Sequence, residues 1–414
     1  KGKPMDVLIW AGAAISAIGL VGLVWCILRV AKARKSNLTD DELREYHQTT
    51  VEAMRGCLPR LDILHANHLV WQPSVAAQLD VPFVVFPHGS SIEYTVRVDT
   101  RYREAARAAL VKSRGVISGS EEVLGRIRKL YPQLAFRHEL VGVGVDSSLF
   151  TGVGNREALA GRFGGKTRAQ SQELRARLDA GDYDAINDYR TAYDHREPDE
   201  VVELPARFVL FVGALTAGKG VQNMIAAEVD CDLVVVGSGA YREALEALAH
   251  ALTTDNRPLF DHICARGFDL DRSGLSGPME LPYHPGPRRV HFVGRLNHDR
   301  LRHLFPLAEL AVFPSVFPEA YPLVLMESLA NGVLPVVSDF SGFADGLRML
   351  EPLLGKDLID RMRLPLNVDG ISTCLKGLLS APPDRSGLRA IAVEHFDWSV
   401  RARQMVEAYS RLLA

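Results

Sequence analysis

The feature that most constrains this chain is the alternation of short apolar runs with helix-like segments, which occurs in two separate blocks. In the first block the apolar runs are DILHANH (62–68), PFVVFPHGS (82–90), GVISGS (115–120) and HELVGVGVD (138–146). Strands spaced by helices in this way favour βαβ units and a parallel sheet. The pattern predicts a Rossmann-like α/β domain over residues 37–150.

The second block repeats the same alternation and predicts a second Rossmann-like domain over residues 207–395. Its apolar runs are RFVLFVGALTAGKGV, CDLVVVGSGA, RVHFVGRL, ELAVFPS and LPVVSDF. Residues 151–206 are polar and helix-prone with glycine breaks, which indicates an inserted helical linker, and residues 396–414 form an amphipathic helical pattern. Ligands of open parallel sheets bind at the carboxyl ends of the strands. Two facing sheets would therefore place a substrate cleft between the domains.

Bulk composition excludes several classes of protein. The formal charge is −2 over 414 residues, which gives no reason to expect nucleic acid as a partner. The five cysteines are scattered without a CxxC spacing, which is typical of a cytoplasmic protein without a disulfide framework or a zinc site. The first residue is Lys1, so either the chain begins at Met5 or the sequence is part of a longer protein.

The N-terminal segment, residues 1–36, is a candidate membrane anchor. Val7–Leu28 carries no charge, and basic residues follow at once from Arg29. Its length suits a transmembrane helix, and the positive flank would leave the rest of the chain at the cytoplasmic face. The alternative interpretation is a buried strand followed by a helix, with Gly12 between them.

Two carboxylates occupy a strand–turn–helix segment, FPSVFPEAYPLVLMESLANGVLPVV, in the second block. Glu319 lies in the turn and Glu327 lies inside the helix. A helix that starts near Pro322 would offer the amides of Leu323 and Val324 to an anion, helped by the helix dipole. An ionised Glu327 could hold vicinal hydroxyls through charge-assisted hydrogen bonds. The alternative is a helix N-terminal charge together with a surface glutamate.

Lys219 and His88 each follow an apolar strand pattern. Lys219, in VGALTAGKGV, could reach a phosphate at the same edge of the sheet, although a lone loop lysine is more often solvated. His88, in PFVVFPHGS, could bond a substrate hydroxyl, although such a histidine is more often structural. The Gly-Ser-Gly turn at 237–239 lacks a full GxGxxG, so it is weak evidence for a dinucleotide site.

Together these segments resemble the retaining glycosyltransferases of family 4, which have the GT-B fold of two Rossmann-like domains facing across a cleft. The EX7E signature of that family matches Glu319 to Glu327, its loop lysine matches Lys219, and its HG pair matches His88 and Gly89. Residues 396–414 are similar to its closing helix, which crosses back to the N-terminal domain. The resemblance extends from about Asp40 to the end of the chain.

The resemblance implies transfer of a sugar from a nucleotide-diphosphate sugar with retained anomeric configuration, without a metal or other cofactor. It implies that Glu327 holds the donor ribose, that Lys219 and two helix amides neutralise the diphosphate, and that Glu319 and His88 face the transferred sugar. The implied catalytic residues are Glu319 and His88. The implied donor-binding residues are Lys219, Glu327, Leu323, Val324, Gly213 and Tyr321. The acceptor would be a polysaccharide, another glycan or a lipid-linked molecule.

The sequence departs from the family pattern at three places. Ala214 stands where the family has an arginine, so a phosphate contact is lost or supplied elsewhere, for example by Arg295. Pro322 stands where the family frequently has a glycine. The first strand of the family and its Gly-rich loop are not visible in the sequence before Asp40. These departures favour one alternative, a non-catalytic GT-B-like binding protein. A lower alternative is an NAD-dependent oxidoreductase, which rests on the Rossmann-like alternation and the turn Gly237-Ser238-Gly239.

Overall fold

The computed structural model describes residues 39–55, 61–159, 162–163, 168–188, 200–201, 204–270 and 276–414. The apolar segment over residues 7–28, predicted as a membrane span, lies outside the described residues. Among the helices of the described ranges, none is both long and apolar enough to cross a membrane. The chain divides into two units: the first contains the described residues up to Val143 together with Arg401–Ala414, and the second is Gly144–Val400.

The first unit is built on a four-stranded parallel sheet whose spatial order follows the chain order. Its strands are β1 (Leu64–Asn67), β2 (Phe83–Phe86), β3 (Gly115–Ser118) and β4 (His138–Leu140). β2 and β3 lie at the centre of the sheet and are almost entirely buried, which is why they read as continuous Val/Ile-rich runs. The register pairs Leu64 with Phe83 and Val84 with Gly115.

Helices cover this sheet, and polar caps fix where two of them start. The helices are Asp40–Arg55, Gln72–Ala76, Gly89–Ser91 with the π-turn Ile92–Val96, Thr100–Lys112 and Glu121–Leu130. Asp99 accepts a hydrogen bond from the Arg101 amide, and Ser120 accepts one from the Val123 amide, so both satisfy N–H groups that a helix start leaves without a partner. The last helix, Trp398–Leu413, returns to this unit, where Tyr409 and Leu412 pack against Ile63.

The second unit is built on a six-stranded sheet in which every pair of neighbours is parallel. Its strands are β7 (Phe208–Val212), β8 (Asp232–Val236), β9 (Val290–Gly294), β10 (Leu310–Phe313), β11 (Pro335–Ser338) and β12 (Arg363–Leu364). The spatial order is β12-β11-β10-β7-β8-β9, so the chain builds outward from β7 on one side and then from β10 on the other. This order is that of a doubly wound Rossmann sheet, and two parallel sheets confirm the predicted α/β class.

Eleven described helices belong to the second unit. They are Arg168–Asp179, Ala185–Asp188, Val221–Ala226, Arg242–Thr253, Arg257–Arg266, His298–Leu304, Leu323–Ala330, Ser341–Leu354, Lys356–Met362, Val368–Ser380 and Leu388–Phe396. Single 3₁₀ turns occur at Glu157–Leu159, Ala217–Lys219, Gly267–Leu270 and Phe305–Leu307. A two-residue antiparallel pair, β5 (Arg162–Phe163) and β6 (Glu200–Val201), and the short β12 were not expected from the sequence. They are too short to give a periodic signal.

Candidate functional site

The predicted site residues Lys219 and Glu319 of the second unit lie where its strand order reverses. β7 and β10 are neighbours, and the connections that leave their carboxyl ends run to opposite sides of the sheet. A parallel sheet leaves a crevice at such a point, because the two helices diverge. Lys219 follows β7 and Glu319 follows β10, so the fold brings two residues that are a hundred positions apart to the same edge of the sheet.

The loop that carries Lys219 is held against the loop after β10 by close backbone contact. Lys219 ends the 3₁₀ turn, and Gly220 follows with φ 72°. A Cβ on Gly220 would lie 1.9 Å from the carbonyl oxygen of Pro314, so only glycine fits. The Val316 amide donates to the Gly218 carbonyl at 2.9 Å. The position of Lys219 is therefore fixed by the main chain on both sides.

The Lys219 ammonium and the Glu319 carboxylate meet directly. The Nζ–Oε1 distance is 2.5 Å, and the Ser315 hydroxyl donates to the same oxygen at 2.8 Å. The lysine and glutamate side chains are 31% and 20% exposed, whereas Ser315 is buried. The structure thus brings together two predicted residues and adds Ser315, whose role the sequence interpretation missed. In the sequence, Ser315 was indicated by the Pro-Ser pair at the end of the strand pattern.

The turn after Glu319 is anchored through its own backbone. The Glu319 carbonyl accepts hydrogen bonds from the Ser341 hydroxyl at 2.8 Å and from the Gly342 amide at 2.9 Å. Both donors stand at the start of the helix Ser341–Leu354. This turn is therefore tied to the next βα connection of the sheet, which restricts the directions that the carboxylate can take.

The helix that follows the turn begins at Leu323, with Pro322 as its N-cap residue rather than in its first turn. The N–H groups in the first turn of a helix lack partners within the helix, and the dipole makes that end favourable for an anion. Leu323 is exposed, while Tyr321 and Val324 are partly buried. The amides of Leu323 and Val324, predicted to bind an anion, thus lie at a helix start whose first residue is exposed to solvent.

Glu327 lies in the interior of the same helix and is buried, with 8% of the residue exposed. Nε2 of His298 is 3.7 Å from its Oε1 atom. Burial raises the pKa of Glu327, and the nearby His298 opposes part of that rise. His298 packs edge-on against Phe150 with the ring centroids 5.7 Å apart. The sequence interpretation did not single out His298, although it follows the end of β9 by four residues.

Gly213 marks the point where β7 and β8 end together. Its amide donates to the Val236 carbonyl at 3.0 Å, and a Cβ on Gly237 would lie 1.8 Å from the Gly213 carbonyl oxygen. This close approach of the main chain requires a glycine at position 237, so it explains the Gly-Ser-Gly turn without a dinucleotide site. Ala214, where the resemblance calls for arginine, is exposed, and Arg295 is exposed just beyond β9, two strands away.

His88 belongs to the first unit, whereas the other predicted site residues belong to the second. It follows β2 and caps the turn Gly89–Ser91. Its Nε2 is 3.4 Å from the Asn67 side-chain oxygen, and its ring centroid is 4.4 Å from that of His68. Burial, together with the charge of His68, lowers the pKa of His88 to about 4. The ring is therefore neutral near pH 7 and can both donate and accept a hydrogen bond.

The described part of the chain also contains pairs of a histidine with a carboxylate, such as His250 with Asp179. No group of three or more histidine, cysteine, aspartate or glutamate side chains there is arranged to hold a metal ion.

Comparison with protein families gives one matching segment. Residues 284–354 match the family model described as Glycosyl transferases group 1. The matched segment runs from the loop before β9 to the end of the helix Ser341–Leu354, and it includes Glu319 and Glu327 but not Lys219. A curated relative, the uncharacterized glycosyltransferase MJ1607 of Methanocaldococcus jannaschii, is 25% identical over 213 residues. That alignment covers 49% of this chain and 44% of the relative, less than half of its length.

Solved structures extend the likeness over most of the chain. The sucrose-phosphate synthase of Thermosynechococcus elongatus superposes with a TM-score of 0.57 at 20% identity and covers 91% of this chain and 80% of that one. Anabaena Alr3699/HepE, solved in complex with UDP and glucose, gives a TM-score of 0.54 at 14% identity, with coverage of 89% and 82%. The chain therefore has the GT-B fold, and the matched segment in its second unit supports a GT-B glycosyltransferase.

Proposed function

We propose that this protein is a retaining glycosyltransferase of the family 4 type, which transfers a sugar from a nucleotide-diphosphate sugar. The observation that carries the proposal is the meeting of Lys219 and Glu319 at 2.5 Å, at the switch point of the six-stranded sheet and directly before a helix N-terminus. This arrangement places a cation and main-chain amides where an anionic ligand of such a sheet binds.

In this proposal, the groups that face the leaving diphosphate contribute most to stabilising the transition state. Negative charge grows on the diphosphate as the glycosidic bond breaks, so preorganised donors stabilise the transition state more than the ground state. Lys219 and the amides of Leu323 and Val324 supply such donors. Lys219 shares its charge with Glu319, but both side chains are partly exposed, and ion pairs of that kind contribute about 0–1 kcal/mol. A diphosphate competes readily for that lysine.

The remaining residues define the two ends of the donor. Glu327 accepts hydrogen bonds from the ribose hydroxyls, and Gly213 and Tyr321 lie beside the diphosphate. Glu319, held by Ser315, faces the transferred sugar. His88, in the first unit, is a neutral imidazole that can bond a sugar hydroxyl. The reaction needs no metal in this proposal, because Lys219 and the helix start take the role that a divalent cation plays in other sugar transferases.

The acceptor is a glycan or a lipid-linked molecule, and the protein acts at the cytoplasmic face of a membrane. This part of the proposal rests on the uncharged stretch Val7–Leu28 and the basic residues that follow it. Fractionation after alkaline carbonate washing tests it. Retention of the full-length chain in the membrane pellet supports the proposal, and release into the supernatant contradicts it.

A second candidate is a GT-B protein that binds a nucleotide sugar without turnover. The observation that favours it is Ala214, an exposed small residue at the end of β7 where the resemblance calls for an arginine. Loss of one phosphate ligand weakens transition-state stabilisation more than ground-state binding, so binding can persist without chemistry.

The test is a thermal-shift screen of UDP-, GDP-, ADP- and dTDP-sugars on the full chain, because a bound ligand raises apparent stability by mass action. Transfer or donor hydrolysis is then followed by NMR, which reports the anomeric configuration, with and without EDTA. A retained anomer formed in EDTA supports the proposal. Binding without turnover selects the second candidate, inversion contradicts the retaining mechanism, and no stabilisation by any donor contradicts both.

A further inference from the structure

A buried carboxylate needs support if it is to act as an anion, and Glu327 is such a group. The helix Leu323–Ala330 is apolar, and Leu325, Met326 and Leu329 are fully buried around the glutamate. Taking a carboxylate out of water disfavours its charged form unless a donor or cation faces it. Whatever faces Glu327 therefore decides whether it can accept hydrogen bonds from a ligand.

The side chain in that position is His298. Its Nε2 lies 3.7 Å from Oε1 of Glu327, and within the described part of the chain it is the ion-pair partner of this carboxylate. The imidazole stands edge-on to the buried ring of Phe150, which limits the directions it can adopt. His298 is itself 63% exposed, so one side of the ring faces the carboxylate while much of it remains open to water.

A cation on a neighbouring helix bonds to the main chain and not to Glu327. Arg389, on the helix that packs against Leu323–Ala330, donates to the carbonyls of Phe150 at 2.8 Å, Ala330 at 3.0 Å and Ser147 at 3.3 Å. Arg389 therefore holds backbone segments together, whereas His298 lies next to the Glu327 carboxylate.

We propose that His298 is a positioning residue of the donor site: it orients the buried Glu327 carboxylate and favours its charged form, so that Glu327 can accept hydrogen bonds from the ribose hydroxyls of a nucleoside diphosphate. The inference rests on the proposed function and deepens it, because it assigns a role to a residue outside the Glu319–Glu327 signature. The imidazole turns an N–H towards one carboxylate oxygen, which leaves the other oxygen to the ligand. His298 acts through Glu327 and does not itself touch the sugar.

The experiment compares the affinities of UDP and 2′,3′-dideoxy-UDP for the full chain by calorimetry. UDP is the probe because it occupies HepE, a structural neighbour. Wild type should prefer UDP by about 10-fold or more, since hydrogen bonds to a charged group are worth about 1.5–3 kcal/mol. His298→Ala should remove most of that preference by weakening UDP alone. His298→Gln, which keeps a nitrogen donor, should restore part of it. His395→Ala, at a partly exposed histidine of the same unit, is the matched control and should change neither affinity.

The outcomes separate the two proposals. If His298→Ala weakens both nucleotides equally, the residue has only a structural role and the inference is wrong. An unchanged preference in that variant also overturns it, while the proposed function stands. If wild type binds none of UDP, GDP and ADP, the proposed function fails and the inference fails with it. If GDP or ADP binds more tightly than UDP, that nucleotide and its dideoxy analogue replace the UDP pair.

Discussion

In both units burial shifts the pKa of a predicted site residue, which is a histidine in the first unit and a glutamate in the second. In the first unit, burial lowers the pKa of His65 and of His88 to about 4. In the second unit, burial raises the pKa of Glu327. One physical cause acts in both, since removal from water penalises the charged form whatever its sign.

The consequences for stability run in opposite directions with pH. A histidine with a lowered pKa binds fewer protons in the folded state, so the first unit loses stability as the pH falls from about 6.5 towards 4. A glutamate with a raised pKa binds more protons in the folded state, so its contribution to the second unit is lost as the pH rises through that pKa. The first unit thus contains neutral imidazole rings, and the second contains a buried carboxylate whose charged form is disfavoured.

The largest effect is expected at the charged site of the second unit. Lys219→Ala removes the cation that we propose faces the diphosphate, and loss of one such preorganised donor costs about 10²–10³ in rate. We therefore expect kcat/KM for transfer to fall by about that factor and calorimetric affinity for the donor to weaken. Lys376→Ala is the control, because Lys376 is an exposed lysine of the same unit paired with Glu228 at 3.7 Å. Unchanged donor affinity in Lys219→Ala would count heavily against the site.

Glu319→Gln separates the charge of the carboxylate from its shape. The amide keeps an acceptor for the Ser315 hydroxyl but no longer neutralises Lys219. We expect transfer to fall by about 10²-fold, as for loss of one electrostatic group, while UDP binding is maintained or tightened. Steady-state kinetics and calorimetry together measure this divergence. Glu309→Gln, at a surface ion pair with Arg207, should change neither quantity. Parallel losses of binding and rate would contradict the assignment of Glu319 to the sugar.

His65→Gln should blunt the acid sensitivity of the first unit. Between pH 6.5 and 4, His65 binds a proton only when the unit unfolds. Removing it should therefore reduce the change in the free energy of unfolding by about 1.4 kcal/mol per pH unit. Hydrogen exchange of the β1 and β2 amides across this range measures the slope. Tyr409→Phe deletes the 2.6 Å hydrogen bond to His65 but leaves the ring to titrate, so its slope should stay steep. An unchanged slope in His65→Gln would show that His65 is not the acid-sensitive group.

Glu327→Gln should give the smallest effect. We expect the variant to gain stability, although it loses the carboxylate proposed to bind the donor ribose. The neutral amide escapes the penalty of a buried charge, so we expect the variant to be more stable than wild type at pH 8. This advantage should shrink as the pH falls and the glutamate itself takes up a proton. A gain of about 1 kcal/mol corresponds to a rise in Tm of about 2–4 °C in a domain of this size. Melting curves at pH 5 and pH 8 check it, with the exposed Glu351→Gln as control. A larger gain at pH 5 than at pH 8 would reverse the predicted sign.

The strands and the central residues of the second-unit site were predictable because their signals are local. Nine apolar runs each gave one strand, since central parallel strands are buried on both faces and read as continuous Val/Ile-rich segments. Glu319 and Lys219 were predicted from turns next to those strands, and Glu327 from the helix that follows one of them. Ser315 and His298 were not, because a single serine or histidine has no periodicity and its partner lies elsewhere in the chain.

By itself, the sequence determined the strands, the direction in which they run, and therefore the edge at which their functional loops emerge. The tertiary structure alone decided which loops meet: the sheet order sets β7 beside β10, and with them Lys219 beside Glu319. It also decided the ionisation preferences of His65, His88 and Glu327, which follow from burial. The physical reason is that strand propensity depends on neighbours along the chain, whereas electrostatics and desolvation depend on neighbours in space.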